Sequence, residues 1–324
     1  MLKVAMLSFW HVHAEGYAKQ LRERNDNKIT CMWDEIPQRG KDWAGKLGID
    51  LEPDLSKLLK RDDVDAVVIN SPTNLHAKIM IAAAKAGKHI FTEKVMALTV
   101  RECKEISEAV KKAGVKFCVS FPQLTVPYVR FAKKAIDEKI IGDVTLARFR
   151  AAHAGASAGW LPPHFFDPVQ TGGGAMMDLG AHPMYTLRYL LGKPKSINSI
   201  FTVLTGKQVE DNSVCAIEFE NKAIGVSEAS FVSGGGMIGL EVYGTKGCLI
   251  VESSASGPVI KMVPAELEKQ ISLPPALPRP IDIWVDGILK GTEIPFGTEQ
   301  GTQLTELMEA AYKSFREKRQ VSIK

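Results

Sequence analysis

The 324-residue chain has no apolar run approaching the length of a membrane span, which excludes a helical membrane protein. It has only five cysteines (Cys31, Cys103, Cys118, Cys215 and Cys248), an odd number, widely spaced and without a C-x-x-C pair. That pattern excludes a disulfide frame and a cysteine-built zinc site, and it fits buried thiols in a reducing compartment. Charge of one sign is also missing: the net charge is +4 and the basic residues are scattered. A nucleic-acid or membrane-surface partner is therefore not expected. No internal repeat or low-complexity tract occurs. Met1–Leu7 is apolar but too short for a signal peptide and lacks a cleavage site, so it reads as a buried strand and the expected location is cytoplasmic. What is present is ordinary globular material, 45% apolar and 24% charged, long enough for two domains.

The first 120 residues alternate short apolar runs with helical patterns. Strands are expected at Val4–Ser8, Lys28–Trp33, Ala66–Ile69, His89–Thr92 and Lys116–Ser120. Helices are expected at Glu15–Arg24, Gln38–Leu47, Leu75–Ala86 and from Thr99, whose Glu102 completes a capping box, to Ala113. This alternation implies βαβ units in a parallel, doubly wound sheet, with ligands at the carboxyl ends of the strands. The rule points to Ser8–His13, Asp34, Ser71–Asn74 and Glu93-Lys94.

Past Phe121 the texture changes. A helix is expected at Val126–Glu138, a strand at Val144–Ala152, and an irregular loop at Gly155–Gln170. One continuous helix is then expected from Ala175 to Leu191. Five strands follow between Ile197 and Val251, joined by turns short enough for hairpins, so this second sheet should be largely antiparallel. Pro274–Pro280 reads as an extended connection, and Leu304, Leu307, Met308, Ala311 and Phe315 stand at the spacing of a final core helix. The expected fold class is α/β: a Rossmann-type domain at 1–121, then an α+β domain with an open, largely antiparallel sheet at 122–324.

The stretch Gly172-Gly173-Gly174 to His182 places Asp178 and His182 four residues apart, on one face if the segment is a single helix. A carboxylate beside an imidazole is a proton-transfer pair, although the same spacing also arises from a helix cap and a packed histidine.

Four motifs, in order, resemble the Gfo/Idh/MocA oxidoreductase family. They are Asn70-Ser71-Pro72-Thr73-Asn74-Leu75-His76; Gly87-Lys88-His89-Ile90-Phe91-Thr92-Glu93-Lys94; Gly172 to His182; and Gly301 to Ser314. Val95 stands where that family usually has proline. The resemblance implies NAD-dependent hydride transfer on a sugar- or polyol-like secondary alcohol, with Lys94, Asp178 and His182 as catalytic positions. It also implies a homodimer or homotetramer. The chemistry suits those residues: a neutral imidazole accepts the hydroxyl proton near pH 7, and a lysine hydrogen bond stabilises the developing alkoxide. Cofactor contacts are expected from Ser8, Trp10, His11, Asp34, Ser71, Pro72, Thr73, His76, Glu93 and Lys94. Asp34 would bind the ribose and favour NAD over NADP, a preference Arg39 would soften. Gln123, His153, Trp160 and His164 are substrate-site candidates by location, although a loop tryptophan more often anchors its loop.

The glycine-rich loop is missing. Where G-x-G-x-x-G should follow the first strand, the chain reads Ser8-Phe9-Trp10-His11-Val12-His13, with a tryptophan that should displace the pyrophosphate or redirect the loop. The expectation is that Ser8 and the following helix N-terminus still hold the dinucleotide, less tightly. Three other readings compete. One is a non-catalytic ligand sensor that keeps the fold, and another is a lyase or glycosidase that retains its NAD. The third is a His-x-His metallohydrolase recruiting His76, His153 and Asp178, which the antiparallel run disfavours. No metal is assigned on the leading reading.

Overall fold

A computed structural model describes residues 1–235, 238–254 and 257–323. The chain divides into two compact units, Met1–Ser120 with Pro278–Thr305, and Phe121–Leu277 with Glu306–Lys324.

The first unit carries six strands: β1 (Leu2–Leu7), β2 (Asn27–Trp33), β3 (Asp50–Leu51), β4 (Ala66–Ile69), β5 (His89–Thr92) and β6 (Phe117–Val119). They pair in parallel in the order 3-2-1-4-5-6, the doubly wound arrangement with its crevice beside β1 and β4. The expected hydrophobic runs are the core of this sheet. Val4, Ala5, Met6 and Leu7 of β1 and all of β4 are buried, as strands covered by helices on both faces must be. The crossover helices are α1 (Ala14–Arg22), α2 (Pro37–Leu47), α3 (Leu55–Leu58), α4 (His76–Lys85) and α5 (Val100–Ala113). The Thr99–Glu102 capping box forms as expected at α5. Short elements escaped the sequence reading: β3 has two residues and α3 four, below any detectable period. The helix Pro280–Leu289 was also missed. The proline-rich run ends in a residue suited to a first helical turn, and Trp284 packs against Phe91 of β5 with ring centroids 5.6 Å apart.

The second unit carries helices α6 (Pro127–Asp137), α7 (Pro168–Thr171), α8 (Ala175–Asp178) and α9 (Ala181–Leu191) and an eight-stranded sheet. Its strands are β7 (Val144–Ala152), β8 (Pro194–Thr202), β9 (Asn212–Phe219), β10 (Ile224–Ser230), β11 (Ile238–Gly244), β12 (Cys248–Ser254), β13 (Gly257–Val263) and β14 (Val321–Ser322). The order is 13-12-11-7-10-9-8-14. All neighbours are antiparallel except β7 and β10, the exception to an otherwise correct expectation. Helices α8 and α9 cover one face of this sheet. Among the described residues no helix is long and apolar enough to cross a membrane.

The single helix expected over Ala175–Leu191 is two. The break falls at Leu179-Gly180, where Gly180 N bonds to Ala175 O at 2.9 Å and His182 N to Leu179 O at 3.0 Å. A Cβ on residue 180 would lie 2.5 Å from Met176 O, so the glycine lets the turns close together. Asp178 therefore ends one helix and His182 is the second residue of the next, with helical dihedrals kept at Leu179 and Gly180 between them.

Candidate functional site

At the carboxyl end of the first unit's sheet, Ser8 takes the left-handed conformation, φ 72°, of the glycine it replaces, at a cost of about 1 kcal/mol. Its hydroxyl accepts the Trp10 N–H at 3.0 Å and an Arg39 N–H at 3.3 Å, which holds the turn in place. Trp10 is buried, and Phe9 stacks on Trp43 at 4.3 Å. The loop tucks both aromatics inward.

Asp34 is more engaged than the sequence implied. Its carboxylate accepts from Phe9 N (2.9 Å), Ile36 N (2.8 Å), Arg39 Nε (2.9 Å) and Arg39 Nη2 (2.7 Å), and the side chain is fully enclosed. Four donors fill the positions a carboxylate offers. The neighbouring Glu35 pairs with Arg39 through Oε1, whereas its buried Oε2 has no partner among the described residues. Burial pushes the Glu35 carboxyl above its ordinary range, against contacts from Ser8 and the charge of Arg39. Glu35 lines a cleft of about 700 Å³ whose walls include Trp33, Leu55, Leu75 and Ile79, with Lys78 at its edge. Nothing in the local sequence distinguished Glu35 from Asp34; only the placement of Arg39 does.

Around β5, Glu93 is enclosed and multiply bonded. Its Oε1 accepts from His13 Nδ1 at 2.8 Å and from the Tyr17 hydroxyl, and its Oε2 accepts the Lys94 N–H at 3.0 Å. Tyr17 reaches on to Ser120 Oγ at 2.8 Å. Burial alone would raise the Glu93 pKa, but the neighbouring His11 and His13, the hydrogen bond from His13 and the Lys94 charge hold it well below the ordinary carboxylate range. His76 is also enclosed, its ring nitrogens 2.9 Å from Val95 O and 3.0 Å from Ser71 O; burial keeps its pKa below the ordinary imidazole value despite both carbonyls. It thus ties the Ser71-Pro72 turn to the Lys94-Val95 tip, whose peptide is cis. Ser71 and Thr73 are buried in the same turn, and Lys94 is buried beside Glu93. Among the described residues, the potential metal ligands that come together are His11, His13 and Glu93, within 4.8 Å of one another. The two open sheets contain no ring of eight βα units, which removes the metallohydrolase reading.

In the second unit, His182 Nδ1 lies 2.8 Å from the buried Tyr185 hydroxyl, which also accepts the Gln123 N–H at 3.1 Å. Gln123 Oε1 accepts from Tyr128 at 2.7 Å, and Phe121 stacks on Tyr185 at 4.3 Å, so the ring partner of His182 is itself fixed. Tyr185 was not singled out from sequence, although its i+3 spacing from His182 was available. The glycine run has a second organiser. Glu210, buried, accepts Gly174 N (2.9 Å), Met176 N (3.1 Å) and the Tyr312 hydroxyl (2.5 Å) on one oxygen, and its own carbonyl accepts Ala175 N at 2.8 Å. A Cβ at Gly174 would sit 1.9 Å from Glu210 O, and one at Gly173 would sit 1.9 Å from the Tyr312 hydroxyl. Close approach therefore requires both glycines. In the loop 155–170, Leu161 and Phe165 anchor inward with Phe231, leaving Trp160 55% exposed and tilted against His153 at 4.6 Å. His164 is half-buried.

Residues 10–121 match the family "Oxidoreductase family, NAD-binding Rossmann fold", and residues 129–250 match "GFO/IDH/MocA C-terminal domain". Inositol 2-dehydrogenase of Rhizobium meliloti (strain 1021) is 28% identical over 321 residues, covering 95% of either chain. scyllo-Inositol 2-dehydrogenase (NAD(+)) of Bacillus subtilis (strain 168) is 34% identical over 232 residues, 69% of this chain and 66% of its own. In fold, the chain is similar to GenD2 from gentamicin A biosynthesis, solved in complex with NAD, with a TM-score of 0.84 at 22% identity over 100% of this chain and 96% of that one. Matches to both halves, and over nearly the full length of a relative, lead to one assignment. The chain belongs to the Gfo/Idh/MocA family of NAD-dependent oxidoreductases.

Proposed function

We propose that the protein is an NAD-dependent dehydrogenase of a sugar- or polyol-like secondary alcohol, with His182 as proton acceptor and Lys94 as hydrogen-bond donor to the alcohol oxygen. Bound NAD supplies the hydride acceptor. The relatives named for inositol dehydrogenation support the substrate class. The cofactor fits the first unit: the cleft beside Glu35 has apolar walls for a purine, and the orphaned Oε2 suits a ribose hydroxyl. Glu35, not Asp34, is thus the ribose acceptor on this reading, and NAD is favoured over NADP.

The observation that carries the catalytic assignment is the His182–Tyr185 contact. Tyr185 Oη has two lone pairs, one taken by Gln123 N–H. On this reading His182 Nδ1–H donates to the hydroxyl oxygen, and Nε2 carries the lone pair a general base needs. Asp178, one turn earlier, would position the substrate. Trp160, exposed beside His153, offers a sugar-stacking face, and His164 and Gln123 complete the candidate lining. On the second unit's sheet, exposed Ile200 and Val214 stand opposite each other across β8 and β9, a surface consistent with a homo-oligomer.

The test titrates the full chain with NADH and then follows NAD reduction with a panel of inositols and aldoses. Replacing His182 with Ala should abolish turnover and leave NADH binding unchanged. Retained activity removes His182 from the base role, and binding without turnover by the unaltered protein favours the sensor reading.

A further inference from the structure

Helix α8 has only four residues, a length that does not hold its own shape, and the regular bond ladder is interrupted at Leu179-Gly180 before α9 begins. Asp178 is the last residue of α8 and His182 the second of α9. Their placement therefore depends on what holds the start of α8. That is Glu210. One oxygen of its carboxylate accepts Gly174 N at 2.9 Å and Met176 N at 3.1 Å, and its carbonyl accepts Ala175 N at 2.8 Å. Three consecutive amides at a helix start, which have no earlier turn to bond to, thus end on one residue more than thirty positions away. From there the frame continues locally. Asp178 N bonds to Gly174 O at 2.9 Å, Gly180 N to Ala175 O at 2.9 Å, and His182 N to Leu179 O at 3.0 Å. A shift of Gly174 or Ala175 is passed to Asp178 and to the first turn of α9, where His182 stands.

Glu210 is held in turn. Tyr312, on the helix Thr298–Glu317, donates its hydroxyl to the same carboxylate oxygen at 2.5 Å, and its ring meets Phe201 edge-on at 5.1 Å. Burial of the phenol and the charge of Glu210 keep its pKa well above the ordinary value, so it remains a donor. The connection between β8 and β9 that carries Glu210 is also fastened. The next residue, Asp211, accepts Leu204 N at 2.9 Å and Thr205 N at 2.7 Å. Gly173 and Gly174 lie against Tyr312 and Glu210 with no room for a methyl group, so the start of α8 cannot move towards either residue.

We propose that Glu210 and Tyr312 are positioning residues for the reaction: they fix the start of α8, from which Asp178 and His182 are presented, and act on turnover through those two residues. This rests on the dehydrogenase reading above. Proton transfer is sensitive to such placement, since a misplacement of about 1 Å from a distant substitution can cost about 100-fold in rate.

The test uses the full chain, with NAD reduction on inositols and aldoses followed well below each variant's melting temperature. Tyr312→Phe keeps the ring and removes the donor; it should lower kcat about tenfold while NADH affinity, read by calorimetry, is unchanged. Glu210→Gln keeps an acceptor oxygen and should retain kcat within about twofold. A pair that only stabilises the fold would lower the melting temperature of Tyr312→Phe and leave the kcat of the folded enzyme as it was, and that result overturns the proposal. A second readout needs no turnover. The ring Cε1–H resonance of His182, assigned by its loss in His182→Ala, should be a single line in the unaltered protein and should shift or split in Tyr312→Phe. An unmoved line overturns the proposal. If the unaltered protein binds NADH but turns over no member of the panel, the dehydrogenase reading fails, and the resonance alone then decides whether Tyr312 and Glu210 set the placement of His182.

Discussion

Replacing Glu210 with Ala should be among the more damaging single substitutions in the second unit. One carboxylate oxygen satisfies Gly174 N, Met176 N and the Tyr312 hydroxyl, and the residue is buried. Truncation strands three buried donors, each worth about 1–3 kcal/mol when unpaired. Local relaxation and water entry reduce the sum, so the expected loss is about 3–5 kcal/mol, a large part of a typical domain's stability. Glu210→Gln keeps an acceptor oxygen in place and should lose only about 1–2 kcal/mol. The pH dependence separates the two states of the carboxyl. Burial raises its pKa above the ordinary value of 4.5, despite the hydrogen bond from Tyr312. The native state then binds the proton more tightly than the unfolded chain. This group's contribution is fully present below 4.5 and is lost as pH rises through the raised value. Glu210→Gln should abolish that part of the slope. Urea unfolding followed by tryptophan fluorescence across pH 4–8 reads both effects. A loss below about 1 kcal/mol for Glu210→Ala, or an unchanged pH slope in Glu210→Gln, would refute the reasoning.

Two further substitutions test the assigned surfaces. Glu35→Gln removes the carboxylate whose Oε2 has no partner among the described residues, in the 700 Å³ cleft. It should weaken adenosine and NADH about tenfold, measured by calorimetry, with nicotinamide mononucleotide unaffected; equal loss for both halves of the cofactor would contradict the placement. Trp160→Ala should leave the melting temperature within a degree or two, since the indole is 55% exposed, while raising KM for the sugar roughly five- to tenfold at constant kcat. A fall in stability with no change in KM would instead mark Trp160 as a loop anchor.

The sheet of the first unit was legible because its strands are buried on both faces and read as uninterrupted apolar runs, as in Ala66–Ile69. The capping box at Thr99 was legible because its two partners are three residues apart. Local signals of that kind reach only so far. The helix break at Gly180 was hidden because a mid-helix glycine usually costs propensity without ending the helix, and here the close approach of Met176 decides. The organisers of the site were invisible for a different reason. Glu210 and Tyr312 meet the glycine run across more than thirty and more than one hundred residues respectively. Asp34 looked like the ribose acid because of its position at the end of β2. Arg39 covers it, and nothing in the spacing told which of Asp34 and Glu35 that guanidinium would fill.

The parallel seam between β7 and β10 has a bearing on how the second unit is assembled in time. Phe149 and its neighbours on β7 are made first, yet the strand pairs with β10 through Leu146–Ile224 and with β11 through Leu146–Tyr243. Neither partner exists until far more chain has been synthesised. The hairpin series β8-β9-β10 and β11-β12-β13 can each close locally, on the microsecond scale of such turns. The central strand must wait for both, because its contacts close far longer loops than the hairpins do. Until then Phe149, fully enclosed in the finished sheet, is apolar surface open to chaperones and to other nascent chains.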